Sequence, residues 1–561
     1  MPVIDVIFTD LQRLIGVPLP KGRDALNDLL AYVKGEAERL EGDALSIEIK
    51  DGNRPDLWSV EGIARELRGV IGVEDGLREY AVTGYSGVRI DVDPRLETVR
   101  PYIGASVVKQ VRLTDDVIRE LMHLQDKLDQ TYGRRRRRAS IGLYNYRLIK
   151  PPLTYKVTRP EDVRFVPLGG TEELDLREIV ATHPKGIEYG HLVTKHERWP
   201  LLLDAVEKVL SIPPIINSND LGRITEGVMD ILVEVTGTTP QTVLNTLTIV
   251  TLSLADRGEA IYSTEIHYPY GENRQVSTPE LATHVVRLDV NQVHRVLGAN
   301  LTADAVLTLL KRARYDARRV GEDALEATVP CYRIDVIHPA DVIEDIAIML
   351  GYNNLEPRWP QQITIGAISA VEAFSDVTRE IMIGLGFQGI LSFSLINEER
   401  LFTQMNVKDT PVVEIANPTS SRFTLIRNWL MPSLMDFLSN NTHVEYPQRV
   451  FEVGDCVVLD DASETGARTV RKLAGLIAHS NASFSEAKAV VDAFFLNIGF
   501  LYRLNEAAHP SFIDGRVGNI VVHDRNVGVV GEVHPRVLEM WGLETPVTGF
   551  EVDLSSLMDI R

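Results

Sequence analysis

Apolar side chains recur along this chain at two spacings, and the switches between them mark out most of its elements. Leu26, Leu29, Leu30, Val33 and Ala37 repeat at helical intervals and predict a helix over 25–40, after which 44–50 alternates as a strand does. Asp51-Gly52 makes a turn, Pro55 suits a first helical position, and Ile63, Leu67 and Val70 form the stripe of a second helix. Residues 102–113 alternate as a strand. Thr114 with Asp115 and Asp116 then opens a helix faced by Val117, Ile118, Leu121, Leu124 and Leu128, which Gly133 ends. A strand over 139–148 follows. The leucine-rich stretch 201–210 reads as a helix, and 211–217 holds too much proline to continue it. Residues 230–235 form a β-rich run and 242–254 a helix. Beyond them, 303–312 and 341–350 are helical, Pro339 opening and Gly351 ending the latter, with a strand at 327–329 and Asp335 at the end of a strand. Residues 357–360 read as a linker. From about 366 onward strands and helices alternate in the manner of a large antiparallel α+β domain.

Length and composition narrow the class. The 561 residues correspond to about three to five domains. Apolar residues at 44% and charged residues at 25% exclude wholesale disorder. With 79 acidic and 59 basic side chains the net charge is −20, so any nucleic-acid contact must be a local patch. Cys331 and Cys456 are too few for a disulfide scaffold and fit a reducing cytosol. Met1-Pro2-Val3-Ile4-Asp5 lacks the basic flank and apolar core of an export signal. The longest uncharged stretch, 235–255, is interrupted by Gly237 and Pro240, so the expectation is a soluble, cytoplasmic protein without membrane contact. No P-loop, HExxH, GxSxG or CxxC signature occurs.

Three local features carry candidate chemistry. Asp341, Glu344 and Asp345 share one helix face, with Asp335 just upstream; an all-oxygen acidic set is what a hard cation such as Mg²⁺ takes. The structural alternative is a capping box of Asp341 with Glu344, in acids that favour a helix N-terminus anyway. Glu234 stands alone in the apolar run Ile231-Leu232-Val233-Glu234-Val235, either facing solvent or pointing into a pocket to accept a substrate hydroxyl. Five consecutive arginines, Arg134, Arg135, Arg136, Arg137 and Arg138, are either a solvated loop or a phosphate-contacting patch.

Five motifs in order resemble one family. They are Asn53-Arg54-Pro55-Asp56-Leu57 with Glu61-Gly62-Ile63-Ala64-Arg65; Pro213-Pro214-Ile215-Ile216-Asn217; Glu234-Val235-Thr236-Gly237-Thr238; Tyr332-Arg333-Ile334-Asp335 with Asp341 to Ala347 and Gly351-Tyr352; and Asn417-Pro418, Arg427, Leu430 and Pro432 with Arg449 to Gly454. The chain resembles the β subunits of phenylalanyl-tRNA synthetases of the archaeal and eukaryotic-cytosolic type. The resemblance implies an α+β multidomain protein: a mixed N-terminal domain over 1–90, a B3/B4-type tRNA-editing domain over 91–278, a B5 domain over 281–358, and a class II synthetase core-like domain over 362–561. It implies an (αβ)₂ heterotetramer with an α subunit that charges tRNA(Phe), and a non-catalytic C-terminal domain here. In keeping with that, 528–535 and 548–551 hold no arginine placed for ATP.

The same resemblance assigns Asp335, Asp341, Glu344 and Asp345 to Mg²⁺ and places Leu202, Ser211, Asn217, Glu234, Thr236 and Gly237 around an editing pocket. The arginine run borders that domain and is placed to hold the tRNA acceptor end. Family members carry Ile-Gly-x-His-Asp after the basic stretch, whereas this chain has Ile141-Gly142-Leu143-Tyr144-Asn145. Two functions therefore stand: a synthetase subunit that hydrolyses Tyr-tRNA(Phe), or a tRNA-binding scaffold whose editing site has decayed.

Overall fold

The computed structural model describes residues 2–360 and 364–560, in two units, Met1–Trp359 and Pro360–Arg561. The domain start expected at 362 lies outside the described residues.

The first unit begins with an antiparallel sheet of β1 (Val3–Ile7), β2 (Gly35–Glu41) and β3 (Ala44–Ile49), in the order β1-β3-β2. The helix expected over 25–40 is shorter, Arg23–Leu30 plus one 3-10 turn, Ala31–Val33. Lys34, at φ 54°, turns the chain out of it, and Ala37 is buried on a strand that happens to continue the helical spacing. The corner after β3 forms as its residues indicate. Pro55–Leu57 make a 3-10 turn, and the Ser59 hydroxyl accepts the Gly62 N–H at 3.0 Å to cap the helix Val60–Ile71.

The centre of this unit is a ten-stranded sheet. Its strands are β4 (Val82–Val92), β5 (Tyr102–Lys109), β6 (Ala139–Asn145) and β7 (Leu153–Thr158), followed, after the hairpin β8 (Arg164–Phe165) and β9 (Leu174–Asp175), by β10 (Trp199–Leu203), β11 (Val209–Ile212), β12 (Ile216–Asn217), β13 (Ile231–Gly237), β14 (Ala260–His267) and β15 (Gln275–Thr278). The order is β12-β11-β10-β7-β4-β14-β5-β13-β6, with β15 paired to β14. The helix expected at 201–210 is instead β10, a tight turn and β11. Leu201, Leu202 and Leu203 are buried alike, so the strand shows no alternation by which to recognise it. Asp204 makes the turn, its Oδ1 accepting the N–H groups of Val206 at 3.1 Å and Lys208 at 2.9 Å, and Glu207 sits at φ 60°. The helix Pro240–Ala255 is buried against β5 and β13 despite its threonines; Thr251, for example, meets the Ser106 hydroxyl at 2.6 Å.

The unit ends in a small antiparallel sheet, β16 (His284–Asp289), β17 (Asp316–Arg319) and β18 (Ala324–Val329), with helices Val290–Leu297, Ala303–Arg312 and Pro339–Leu350. Asp335, expected at a strand end, lies in the loop between β18 and the last of these helices.

The second unit is built on a seven-stranded sheet. Its long strands, Gln448–Leu459, Ala467–Ala478, Val547–Asp553, Arg525–Val533 and Phe512–Val522, pair antiparallel in that order. Phe494 and Phe495, from the helix Phe484–Ile498, join Phe550 and Leu473 in the core on one face. Met431–Asn440 supplies Leu434 and Leu438 to a second core. Among the described residues, no helix is long and apolar enough to cross a membrane.

Candidate functional site

β13 lies between β5 and β6 and is buried at every position, which is why its sequence hides the direction of its one acid. Glu234 stands opposite Ala105 and Gly142 and is 2% exposed, so the solvent-facing alternative is excluded. The sheet curls until its two end strands meet, Asn217 of β12 donating from Nδ2 to the Leu143 carbonyl of β6 at 3.3 Å. That closure places Ser211, Asn217 and Glu234 in the wall of one cavity of about 410 Å³. Ile212, Pro213, Pro214, Ile215 and Ile216 make much of the remaining wall apolar. Burial pushes the Glu234 carboxyl up to about 7, against a hydrogen bond from Tyr144 and the charge of Arg100, both of which favour ionisation.

Leu202, Thr236 and Gly237 lie outside that wall. Leu202 pairs in register with Ser211 but is buried in an apolar cluster with Tyr144 and Leu232. The Thr236 hydroxyl accepts from Arg100 Nε at 3.0 Å and lies 3.3 Å from Ser140 Oγ. Gly237 gives close approach to the Arg138 carbonyl rather than to a ligand: a Cβ there would sit 2.0 Å from that oxygen. Sequence reasoning misses Arg100, which is 4% exposed and also donates to the Arg136 carbonyl at 3.0 Å and to Ser140 Oγ at 3.0 Å. Nothing in its local sequence marks it, because its partners come from three other segments.

The five arginines do not act alike. Arg134, Arg135 and Arg136 have φ of 53°, 52° and 60°, and this left-handed turn points one of the run inward. Arg136 donates from Nη1 to the carbonyls of Pro214 at 3.2 Å and Ile215 at 2.9 Å. It pairs with the buried Asp129, Nε to Oδ2 at 2.9 Å, and lies 4.3 Å over the Tyr189 ring. Burial pushes the Asp129 carboxyl up to about 7 even with Arg136 beside it. Arg136 is therefore part of the cavity wall and not an exposed contact. Arg134, Arg135, Arg137 and Arg138 line a separate cavity of about 840 Å³ with Trp58, Tyr132, His191 and Thr242. Among the described residues none of these four guanidiniums has a carboxylate partner.

The four acids expected around a metal each hold another partner. Asp335 receives Arg333 through two hydrogen bonds of 3.0 and 2.8 Å. Asp345 Oδ2 accepts from Arg333 Nη2 at 2.6 Å and Tyr315 Oη at 2.5 Å. Asp341 Oδ2 accepts the N–H groups of Ile337 at 2.9 Å and His338 at 2.8 Å, so the capping box pairs Asp341 with His338 and not with Glu344. Glu344, half exposed, takes Lys34 Nζ at 2.8 Å. Among the described residues no three of the four bring carboxylate oxygens within 4.8 Å of one another; the trio that does so is Glu36, Glu38 and Glu48.

For two of the four, Asp335 and Asp345, the donor chemistry still suits a hard cation. Asp56, Glu66, Asp335 and Asp345 crowd around only two guanidiniums, Arg54 and Arg333, with Arg54 at 2.8, 3.5 and 3.8 Å from the first three. The surplus of buried carboxylates is what a divalent ion offsets. The Asn53-Arg54-Pro55-Asp56 segment thus joins 333–345 in one ion-pair cluster.

In the second unit two polar residues of the C-terminal motifs, Arg427 and Glu452, bond to each other. Arg427 is 1% exposed and donates to Glu452 Oε1 at 2.8 Å and to the Asp455 carbonyl at 3.0 Å. Glu551 accepts the Leu430 N–H at 2.8 Å and Lys472 Nζ at 2.9 Å.

Residues 286–352 match the tRNA synthetase B5 domain, and 355–554 match the phenylalanyl tRNA synthetase beta chain CLM domain. These two matches define the class, a component of an aminoacyl-tRNA synthetase. The chain is 40% identical to the phenylalanine–tRNA ligase beta subunit of Pyrococcus abyssi, over 99% of this chain and 100% of that one. It is 37% identical to the corresponding subunit of Methanocaldococcus jannaschii, again over 99% and 100%. The crystal structure of an N-terminal fragment of the phenylalanyl-tRNA synthetase beta subunit from Pyrococcus horikoshii aligns at 35% identity with a TM-score of 0.60, covering 63% of this chain and 100% of the fragment. The chain belongs to the phenylalanine–tRNA ligase beta-subunit family.

Proposed function

We propose that this chain works in the cytoplasm as the β subunit of an (αβ)₂ phenylalanine–tRNA ligase. With the α subunit it supports ATP-dependent charging of tRNA(Phe), and its own cavity hydrolyses mischarged Tyr-tRNA(Phe). In this reading 1–90 is an N-terminal domain, 91–278 a B3/B4-type editing domain, 281–358 a B5 domain, and 362–561 a class II synthetase-like core without catalytic residues. Spending Arg427 and Glu452 on each other supports a structural role for that last domain.

The observation that carries the editing half is Glu234, a buried carboxylate in a cavity wall whose Oε1 accepts no hydrogen bond. A pocket built for phenylalanine rejects tyrosine poorly, because one added hydroxyl costs it little; a second site that bonds the hydroxyl discriminates far better. Leu202, Thr236 and Gly237 support this pocket from behind, while Ser211, Asn217 and Glu234 face it. The cavity wall holds no Cys and no His that could pair with Ser211, so in this reading the nucleophile is a positioned water. It attacks the ester carbonyl, the bond to the terminal ribose oxygen breaks, and that oxygen takes up the proton. Incubated with tRNA(Phe), ATP and tyrosine, the complex is expected to consume ATP without accumulating Tyr-tRNA(Phe). Accumulation of the mischarged tRNA would favour the second reading, a scaffold with a decayed site, which Tyr144 and Asn145 in place of His-Asp support.

In the same reading Arg134, Arg135, Arg137 and Arg138 hold acceptor-strand phosphates. Replacing all four by alanine is expected to weaken tRNA(Phe) binding and to flatten its salt dependence, by about 0.7–0.9 in log–log slope for each phosphate left without its arginine. Arg136→Ala is expected to lower stability while leaving the salt slope intact. Filter binding across a KCl series checks both.

Asp335, Asp341, Glu344 and Asp345 would hold Mg²⁺ together with ligands of the α subunit, the ion supplying charge neutralisation there. Asp341→Asn keeps an oxygen for the helix cap and removes the charge. It is expected to loosen α–β association and blunt its magnesium dependence in sedimentation velocity. Unchanged assembly across a magnesium titration would remove the assignment.

A further inference from the structure

Tyr144 stands in β6 within Ile141-Gly142-Leu143-Tyr144-Asn145, and it is fully buried. Its hydroxyl lies 3.1 Å from Glu234 Oε2 and 3.3 Å from Asn217 Oδ1, so two polar residues of the cavity wall converge on a phenol that belongs to the chain itself. The space for this pair is built in. A Cβ on Gly142 would stand 2.5 Å from the Tyr144 hydroxyl and 2.6 Å from Glu234 Oε2, so no other residue fits there without moving one of them. Tyr144 does not itself line the cavity, which keeps its volume of about 410 Å³ beside Glu234. The second oxygen, Oε1, is buried and accepts nothing.

We infer that Tyr144 is a positioning residue for Glu234: its hydroxyl holds Oε2 and leaves Oε1 as the acceptor that selects a tyrosyl over a phenylalanyl ester. This rests on the editing reading above. A carboxylate with one oxygen tied down offers the other in a fixed direction, and an incoming phenol satisfies a group that a phenylalanyl ring leaves unpaired. Without the Tyr144 hydroxyl Oε2 loses its donor, and of the side-chain hydrogen bonds that favour the ionised form only that of Thr236 remains. The charged or titratable groups facing Glu234 are Tyr144 from β6, Tyr155 from β7, Arg100 from the segment before β5, and Asp129 from the helix Asp115–Gln130. Of these, Tyr144 and Arg100 hold the carboxyl down against burial, so removing the hydroxyl moves its titration upward from about 7.

The test compares hydrolysis of preformed Tyr-tRNA(Phe) and Phe-tRNA(Phe) by the reconstituted complex carrying wild-type, Tyr144→Phe, Glu234→Gln or doubly substituted β chains. Tyr144→Phe is expected to lower the tyrosyl-to-phenylalanyl ratio of kcat/KM by about tenfold or more, to shift the pH at which selectivity appears upward, and to add little to Glu234→Gln. Tyr144→His, a second polar ring at this position, is expected to restore part of the ratio. Selectivity lost in Glu234→Gln but unchanged in Tyr144→Phe overturns this inference and leaves the editing reading standing. Absence of tyrosyl clearance by wild type overturns both.

Discussion

Arg333→Met is expected to destabilise the first unit by about 3–5 kcal/mol, the cost of leaving buried carboxylates without their cation. The Arg333 guanidinium is bonded to both Asp335 and Asp345 and lies 5.4 Å over the Tyr315 ring. Methionine keeps much of the apolar stem and removes the charge and its N–H donors, so the loss is mainly electrostatic and hydrogen-bonding rather than a cavity effect. The sign with pH follows from Asp335. Burial raises its carboxyl, but Arg333 and Arg54 together outweigh burial and hold it below the usual carboxylate range. A depressed carboxylate stabilises the fold above its unfolded value of about 3.9 and loses that contribution as pH falls through the folded value. The difference between variant and wild type should therefore be largest near neutrality and shrink in acid below about pH 4. Denaturation midpoints across pH, with hydrogen exchange followed in the helix Pro339–Leu350, check it.

Glu234→Ala is expected to lower the preference for tyrosyl over phenylalanyl ester by about 10–100-fold, corresponding to the ~1–3 kcal/mol of one unpaired buried hydroxyl. Its direct effect falls on the substrate that carries the hydroxyl, so the ratio of clearance rates reports it and overall activity does not. Stability should not fall in step. Burial pushes this carboxyl up to about 7, so near neutrality the ionised form is costly to keep, and its removal relieves that cost. The Tyr144 hydroxyl retains Asn217 Oδ1 at 3.3 Å as a partner. A variant that loses selectivity while melting no earlier than wild type separates recognition from folding.

Local periodicity makes much of the fold legible. The stripe at Ile63, Leu67 and Val70 and the helix over 303–312 appear in the structure where the spacing places them. The failure at 201–210 has a physical cause: a strand buried on both faces has no alternation, and its turn depends on a single side chain, Asp204. The site is legible only in part. A lone acid in an apolar strand marks Glu234, but its direction depends on β5 and β6, which lie far away in the chain. Tyr144 is visible as a departure at one position, while its contact with Asn217 exists only because the ends of the sheet meet. The basic run likewise conceals that Arg136 faces inward, since consecutive left-handed residues leave no composition signal. Around the acids, helix spacing shows that Asp341, Glu344 and Asp345 share a helix. It does not show that Arg333, two residues before Asp335, binds two of the four.

The most direct measurement of the central claim is single-turnover hydrolysis of preformed Tyr-tRNA(Phe) and Phe-tRNA(Phe) by the reconstituted wild-type complex at about pH 8, where Glu234 is ionised. Rapid clearance of the tyrosyl ester with the phenylalanyl ester largely spared is the predicted result. Clearance of neither above buffer, or of both at the same rate, would contradict a cavity that reads the hydroxyl through Glu234.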